Sequence, residues 1–254
     1  MILLLKLFLA HILGDFALQP SAWIADKEQH KIASRCLYQH AIVHFALLVF
    51  IVQDIHFWKY ALLIVILHLL TDLLKVYKQP AHNLTGFNNL RQRWFFYDQL
   101  LHLATLFLVW YLYATPAIGF ALWDNAPFLI CFTGFVLVTQ PASVLIKVVI
   151  SPWNTSGAAT SIPSISGTST TNSLANAGKI IGYIERILTV IMMLHGHWES
   201  IGFLIAAKSV LRIGDVRDNR DKNMTEYILV GTLLSFGIAI IVGLGMNYLL
   251  AVFS

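Results

Sequence analysis

Four pairs of polar residues, each pair spaced four apart inside an apolar stretch, carry the chemistry this sequence can do. They are His11 with Asp15, His40 with His44, His68 with Asp72, and Asp98 with His102. On a helix, positions i and i+4 lie one above the other, so each pair makes a two-residue polar stripe on one face. Imidazole nitrogens with carboxylate oxygens are a donor set for Zn, Mn or Fe, and they argue against Cu(I) and iron–sulfur clusters. Five histidines and three aspartates are enough for one or two divalent ions, or for one ion with carboxylate–histidine hydrogen bonds around it. The expected metal ligands are therefore His11, Asp15, His40, His44, His68, Asp72, Asp98 and His102, with Zn the best match and Mn or Fe as alternatives. Whichever of Asp15, Asp72 and Asp98 is not consumed as a ligand would serve as general base. Two other uses of the same residues stay open: a metal-free proton or ion pathway, and bis-histidine haem ligation by His40, His44 and His102, which leaves the aspartates without a role.

The elements that must hold these stripes are membrane helices. The chain has 254 residues, 57% hydrophobic and 12% charged, with a mean hydropathy of +0.70. Soluble domains are nearer 25% charged. The fold class expected is all-α, a polytopic transmembrane bundle of about eight spans, roughly 1–19, 33–53, 57–77, 94–114, 127–150, 178–196, 200–214 and 227–252. Lys and Arg concentrate in alternate connections and the helix ends beside them, Lys27 and Lys75 among them. By the positive-inside rule that side is cytoplasmic and both termini are outside. The same topology explains the pI near 9.1 without nucleic acid. Cys36 and Cys131 read as packing residues, and no cleavable leader is expected at Met1.

The organisation expected is a four-helix unit at 1–114 bearing the stripes, a fifth span at 115–150 kinked at Gln140-Pro141, a flexible Ser/Thr-rich cytoplasmic loop at 151–176, and C-terminal helices at 177–254. In an antiparallel bundle the stripes superimpose into two tiers. Asp15, His40, Asp72 and Asp98 lie nearer the cytoplasm, and His11, His44, His68 and His102 nearer mid-membrane, about 6 Å away. Lone aspartates in hydrocarbon cost about 2.5–3.5 kcal/mol each. With no Lys or Arg at matching depth in these four spans, a divalent cation is the expected compensation.

A second polar cluster falls in the later spans. Glu185, Arg186, Lys208 and Arg212 read either as interfacial anchors or as an anion pocket beside the metal, with Gln19 extending the first stripe toward substrate.

The motif Leu-x-x-x-His-x-x-x-Asp-Phe-x-x-Gln (Leu7, His11, Asp15, Phe16, Gln19) resembles that of an uncharacterised family of bacterial integral membrane proteins. So do Gly182-x-x-Glu185-Arg186, Ala207-Lys208-Ser209-x-x-Arg212 and the run Glu226, Tyr227, Gly231, Thr232, Ser235, Phe236. The resemblance implies a bacterial inner-membrane location and no particular activity. A looser likeness links the His-x-x-x-Asp pairs to membrane-bound metal-dependent hydrolases. The function expected is a metal-dependent hydrolase working on a lipid-linked or small anionic substrate, phosphate-bearing ones included, from the cytoplasmic leaflet of the bilayer. A metal- or proton-coupled transporter and a di-iron membrane oxidase are the alternatives.

Overall fold

The computed structural model describes the backbone of residues 2–79, 89–113, 125–151, 170–213 and 222–253, and the side chains of the same residues except 89, 170–177, 211–213 and 222–228. All described elements are helical: α1 (Ile2–Ile12), α2 (Ser21–His30), α3 (Arg35–Val52), α4 (Trp58–Lys78), α5 (Asn89–Leu112), α6 (Ala126–Leu137), α7 (Gln140–Ile150), α8 (Thr170–Leu194), α9 (Trp198–Ile213) and α10 (Lys222–Phe253). Among the described residues, five helical stretches are long and apolar enough to cross a membrane: Arg35–Val52, Ile55–Lys78, Leu90–Leu112, Ala126–Ile150 and Leu229–Phe253. A sixth arises if Ile2–Ala17 and Ser21–Ala33, bent by 83°, count as one broken span. The chain divides into two compact units at Thr133/Gly134, within the stretch read as the fifth span.

In the first unit α1 packs on α3, α3 on α4, α4 on α5, and α5 back on α1, closing a ring of four helices. Leu7, Leu9, Leu48, Ile51, Ala61, Ile64, Leu106 and Val109 fill its interior. Ile42, Phe50, Ile66, Leu70, Leu100, Phe107 and Tyr111 are left exposed. Large apolar residues outside and histidines, aspartates and lysines inside reverse the pattern of a soluble bundle, as lipid requires.

The entry to the ring is where sequence expectation and structure part. The first span does not run straight to residue 19. After Ile12 the chain widens into a π-helical turn, Leu13–Ala17, and Pro20 then starts α2 in extended backbone. The expected polar connection is instead a helix folded back on α3. Ser34 fixes the return: its hydroxyl accepts the Leu37 N–H at 3.2 Å as the α3 N-cap and donates to Asp26.

At the far end, α3 stops at Gln53 in left-handed backbone (φ 55°). Asp54 caps the turn into α4 by accepting the His56 N–H at 2.9 Å and accepts the Tyr113 hydroxyl from the end of α5. Burial would raise the Asp54 carboxyl, but the Tyr113 and His56 donors outweigh it and hold it below the usual carboxylate range.

In the second unit the kink expected at Gln140-Pro141 is present as the Val138–Thr139 break between α6 and α7. Of the Ser/Thr-rich 151–176 stretch, 152–169 lies outside the described residues. The backbone from Thr170 onward is already helix rather than the loop expected. The His195–Gly196–His197 run is the turn between α8 and α9, with Gly196 at φ 78°.

Candidate metal centre

The closed ring brings all eight stripe residues together. His11 comes from α1, Asp15 from the π turn, His40 and His44 from α3, His68 and Asp72 from α4, and Asp98 and His102 from α5. The five imidazoles and the Asp72 and Asp98 carboxylates are buried, and the Asp15 side chain is only 9% exposed.

Their donor atoms form three overlapping groups. In the first, Asp15 Oδ1 stands 2.9 Å from His44 Nε2 and 3.4 Å from His68 Nε2, while Asp15 Oδ2 is 3.9 Å from His11 Nε2. In the second, His40 Nε2 lies 3.1 Å from His68 Nε2 and 3.9 Å from Asp72 Oδ2. The third joins Asp72, Asp98 and His102, with His102 Nε2 at 3.6 Å from Asp72 Oδ1 and 3.3 Å from Asp98 Oδ1. Within each group the ligand atoms all fall inside 4.8 Å of one another. Atoms bound at about 2.0–2.2 Å to one tetrahedral ion stand roughly 3.3–3.6 Å apart. The groups do not follow the two expected tiers. Asp15 Oδ1 also reaches His40 at 3.2 Å, so one carboxylate touches imidazoles assigned to both.

The π turn explains how Asp15 gets there. A β-carbon on Gly14 would lie 2.4 Å from two ring atoms of His44, so only glycine lets that imidazole seat against the backbone. Single π turns inside α-helices often sit at functional sites, because the extra residue re-aims the side chains beside it.

The expectation that no Lys or Arg stands beside the aspartates is overturned. Lys27 Nζ lies 2.6 Å from Asp72 Oδ2, and Lys75 Nζ lies 2.7 Å from Asp98 Oδ2. Lys27 reaches inward because α2 folds back, and Lys75 shares the Asp72 face one turn further along α4. Each lysine takes the Oδ2 atom only. The Oδ1 atoms of Asp72 and Asp98 are the ones that face His102.

Sequence reasoning also missed Gln99, whose amide nitrogen is 3.4 Å from Asp15 Oδ2 and 3.2 Å from Asp98 Oδ2. Gln19 falls in the same neighbourhood. With its amide turned to satisfy both ends, its oxygen accepts from Lys27 at 2.5 Å and its nitrogen donates to the Asp15 carbonyl at 3.3 Å. The signal for Lys75 was present as its spacing of three from Asp72. For Lys27 it lay near Pro20, where the chain bends by 83°.

The donor set fits a divalent ion on one further observation. Among the described residues, His11 Nε2, Asp98 Oδ1 and both nitrogens of His102 are buried without a hydrogen-bond partner. Such atoms cost free energy unless something coordinates or hydrates them. A cavity of about 10 Å³ beside His11, His44, His68 and His102 has the room one water needs. Leu7, Leu48, Ile64, Thr105 and Leu106 complete its lining.

The family model that matches residues 3–127 spans all of these residues and is described as a protein of unknown function, DUF3307. Residues 3–127 are similar to that family. No curated protein and no solved structure matches the chain. The DUF3307 region thus coincides with the closed ring and its eight-residue cage, and ends as α6 begins.

The second polar cluster lies outside that region. Arg186 is buried, and it donates to the Val138 carbonyl, to Thr139 O at 3.2 Å, to Ser143 Oγ at 2.7 Å and to Ser235 Oγ at 3.1 Å. It satisfies the Val138 carbonyl at the α6–α7 break and adds a second donor to the Thr139 carbonyl, which also accepts the Ser143 N–H at 3.2 Å. Lys208 pairs with Glu185. The backbone of Arg212 belongs to α9, and its side chain lies outside the described residues.

Proposed function

We propose that the N-terminal unit is the metal centre of an integral membrane hydrolase whose substrate is membrane-soluble or lipid-linked and carries phosphate. The observation that carries this reading is the meeting of Asp72 Oδ1, Asp98 Oδ1 and His102 Nε2 at ligand-like separations, while each carboxylate's other oxygen is held by a lysine. His11, Asp15, His44 and His68 supply a second set, with His40 between the two. Zn suits this mixture of nitrogen and oxygen donors, as do Mn and Fe. A bound divalent ion supplies a Lewis acid and a water acidic enough to attack near neutral pH.

The chain's own residues do the rest. Lys27 and Lys75 orient Asp72 and Asp98 and leave one oxygen of each free. Asp15, bonded to His44, accepts a proton from the attacking water when it is not itself a ligand. Leu7, Leu48, Ile64 and Leu106 exclude water from the other end of the cage. In the full topology we propose, eight spans with both termini outside put the carboxylate end of the cage toward the cytoplasmic leaflet of a bacterial inner membrane.

A second reading, cation- or proton-coupled transport, draws on the two Lys–Asp pairs, which neutralise carboxylates between cargo ions. The mostly apolar lining beside His11, four aliphatic residues against Thr105, weighs against it, because a transit route needs polar groups on both sides. The di-iron oxidase alternative shares the ligands and is separated by the metal found. Phosphate release from lipid phosphomonoester and lipid pyrophosphate vesicles tests the proposal. Zn- or Mn-loaded protein should turn both or one of them over, and the His102→Ala variant should lose at least about a hundredfold, the scale for losing a group that stabilises transition-state charge. No release from either vesicle by metal-loaded wild type would overturn it.

A further inference from the structure

A second cavity opens on the carboxylate side of the cage. It measures about 60 Å³, and Asp15, Gln19, Lys27, Asp72, Lys75, Gln79 and Asp98 contribute to its wall. At about 30 Å³ per water in the liquid, that is space for a few waters or one small oxyanion. Lys27, with a side chain 7% exposed, and Lys75 both border it.

Among the described residues Lys27 uses two of its three N–H donors, on Asp72 and Gln19, and Lys75 uses one, on Asp98. Ammonium donors in excess of their acceptors, one buried on Lys27 and one partly exposed on Lys75, beside amide groups that can donate or accept, make a site for the oxygens of an anion.

Charge decides when an anion can enter. The wall carries Asp15, Asp72 and Asp98 against Lys27 and Lys75, and Glu28 on the rim is already held by Arg91 and Gln79. Three carboxylates against two ammoniums leave the cavity formally negative by one, which repels an anion. One divalent ion on the Oδ1 atoms of Asp72 and Asp98 reverses the sign, while Lys27 and Lys75 stay on the Oδ2 atoms with their remaining N–H donors free for the anion.

We propose that this Lys27/Lys75 cavity binds a phosphate-type oxyanion, and does so only after a divalent ion has loaded the adjacent carboxylates. The inference rests on the metal-centre reading and adds the order of binding and the residues that recognise substrate. It assigns head-group recognition to Lys27 and Lys75 in place of Lys208 and Arg212.

Calorimetric titration of purified protein in detergent tests it, with metal content measured on the same samples. The probes are inorganic phosphate, and separately nanodiscs with and without phosphatidic acid. Metal-loaded wild type should bind phosphate, metal-stripped protein should not, and Lys27→Met and Lys75→Met should each load metal yet bind phosphate about tenfold or more weakly, the loss expected for one charge-assisted hydrogen bond. A preference for phosphatidic acid nanodiscs over free phosphate identifies a lipid headgroup as the source; the reverse identifies a soluble phosphate. Either supports the shared chemistry. Three results overturn the inference: equal phosphate binding with and without metal, normal metal loading with no binding of either probe, or a loss that follows Lys208→Met while Lys27→Met is unaffected. Failure of wild type to load metal at all is read directly from the metal content, and would remove the parent reading with it.

Discussion

The backbone of Gly14 is packed against the imidazole of His44, so closely that a β-carbon would sit 2.4 Å from the ring. This contact couples the π turn on the first helix to the third helix and sets where Asp15 meets His44. Gly14→Ala should destabilise the protein by about 1–3 kcal/mol, the scale for overpacking a filled interior. It should also lower metal retention, because His44 must shift to admit the methyl group. Thermal unfolding in detergent with parallel elemental analysis checks both. An alanine variant as stable and as metal-rich as wild type would mean that the ring has slack that the geometry does not show.

The Lys27–Asp72 pair spans 45 residues and is buried on both sides. Removing one partner of such a pair costs about 3–5 kcal/mol, since the other charge is stranded. Lys27→Met should therefore lower stability strongly in metal-stripped protein and much less after metal is restored, when the cation replaces the ammonium. Denaturation curves with and without Zn check this; a loss independent of metal would separate Lys27 from the centre.

Much of the centre was legible before any coordinates. Spacing of four puts His11 and Asp15, or Asp98 and His102, on one face wherever the helix is placed, and burial of carboxylates in an apolar chain demands that such faces converge. What spacing cannot carry is the path between helices. Lys27 lies in a polar stretch that hydropathy assigns to a connection, and only the break at Leu13–Ala17 with the 83° bend beside Pro20 brings it to Asp72. The mistaken expectation that no lysine stands beside the aspartates follows from that step for Lys27, whereas Lys75 was legible three residues after Asp72. The interleaving of the two tiers has a related cause, because side-chain reach is comparable to the rise separating them. Arg186 was ambiguous for a different reason: its acceptors are two backbone carbonyls at the break and the hydroxyls of Ser143 and Ser235, and a carbonyl has no sequence signature.

Arg186 supplies a prediction for the second unit. Hydrogen bonds from a charged donor are worth about 1.5–3 kcal/mol each. Arg186→Met leaves several acceptors buried and unmatched, and should cost at least about 3 kcal/mol. Metal content per folded molecule should stay at the wild-type value, since every proposed ligand belongs to the first unit. Limited proteolysis and elemental analysis on one preparation test the two halves of this statement.

Asp54 gives a pH dependence away from the centre. Its folded-state pKa lies below the unfolded value, so its stabilising contribution is complete above the ordinary carboxylate value of about 3.9 and disappears as pH falls through the lower folded value. The stability gap between wild type and Asp54→Asn should be constant from about pH 7 down to pH 5 and should close below about pH 4. A gap that widens on acidification would reverse the sign and remove the Tyr113 and His56 hydrogen bonds as its cause.

The most direct measurement is the metal content of purified, chelator-washed protein, determined by elemental analysis beside the Asp98→Asn, His102→Ala double variant. One or two equivalents of Zn, Mn or Fe per chain in wild type, reduced by about one equivalent in a folded variant, is the result this account predicts. Wild-type protein that holds no divalent metal, and takes none up when it is offered, would contradict it.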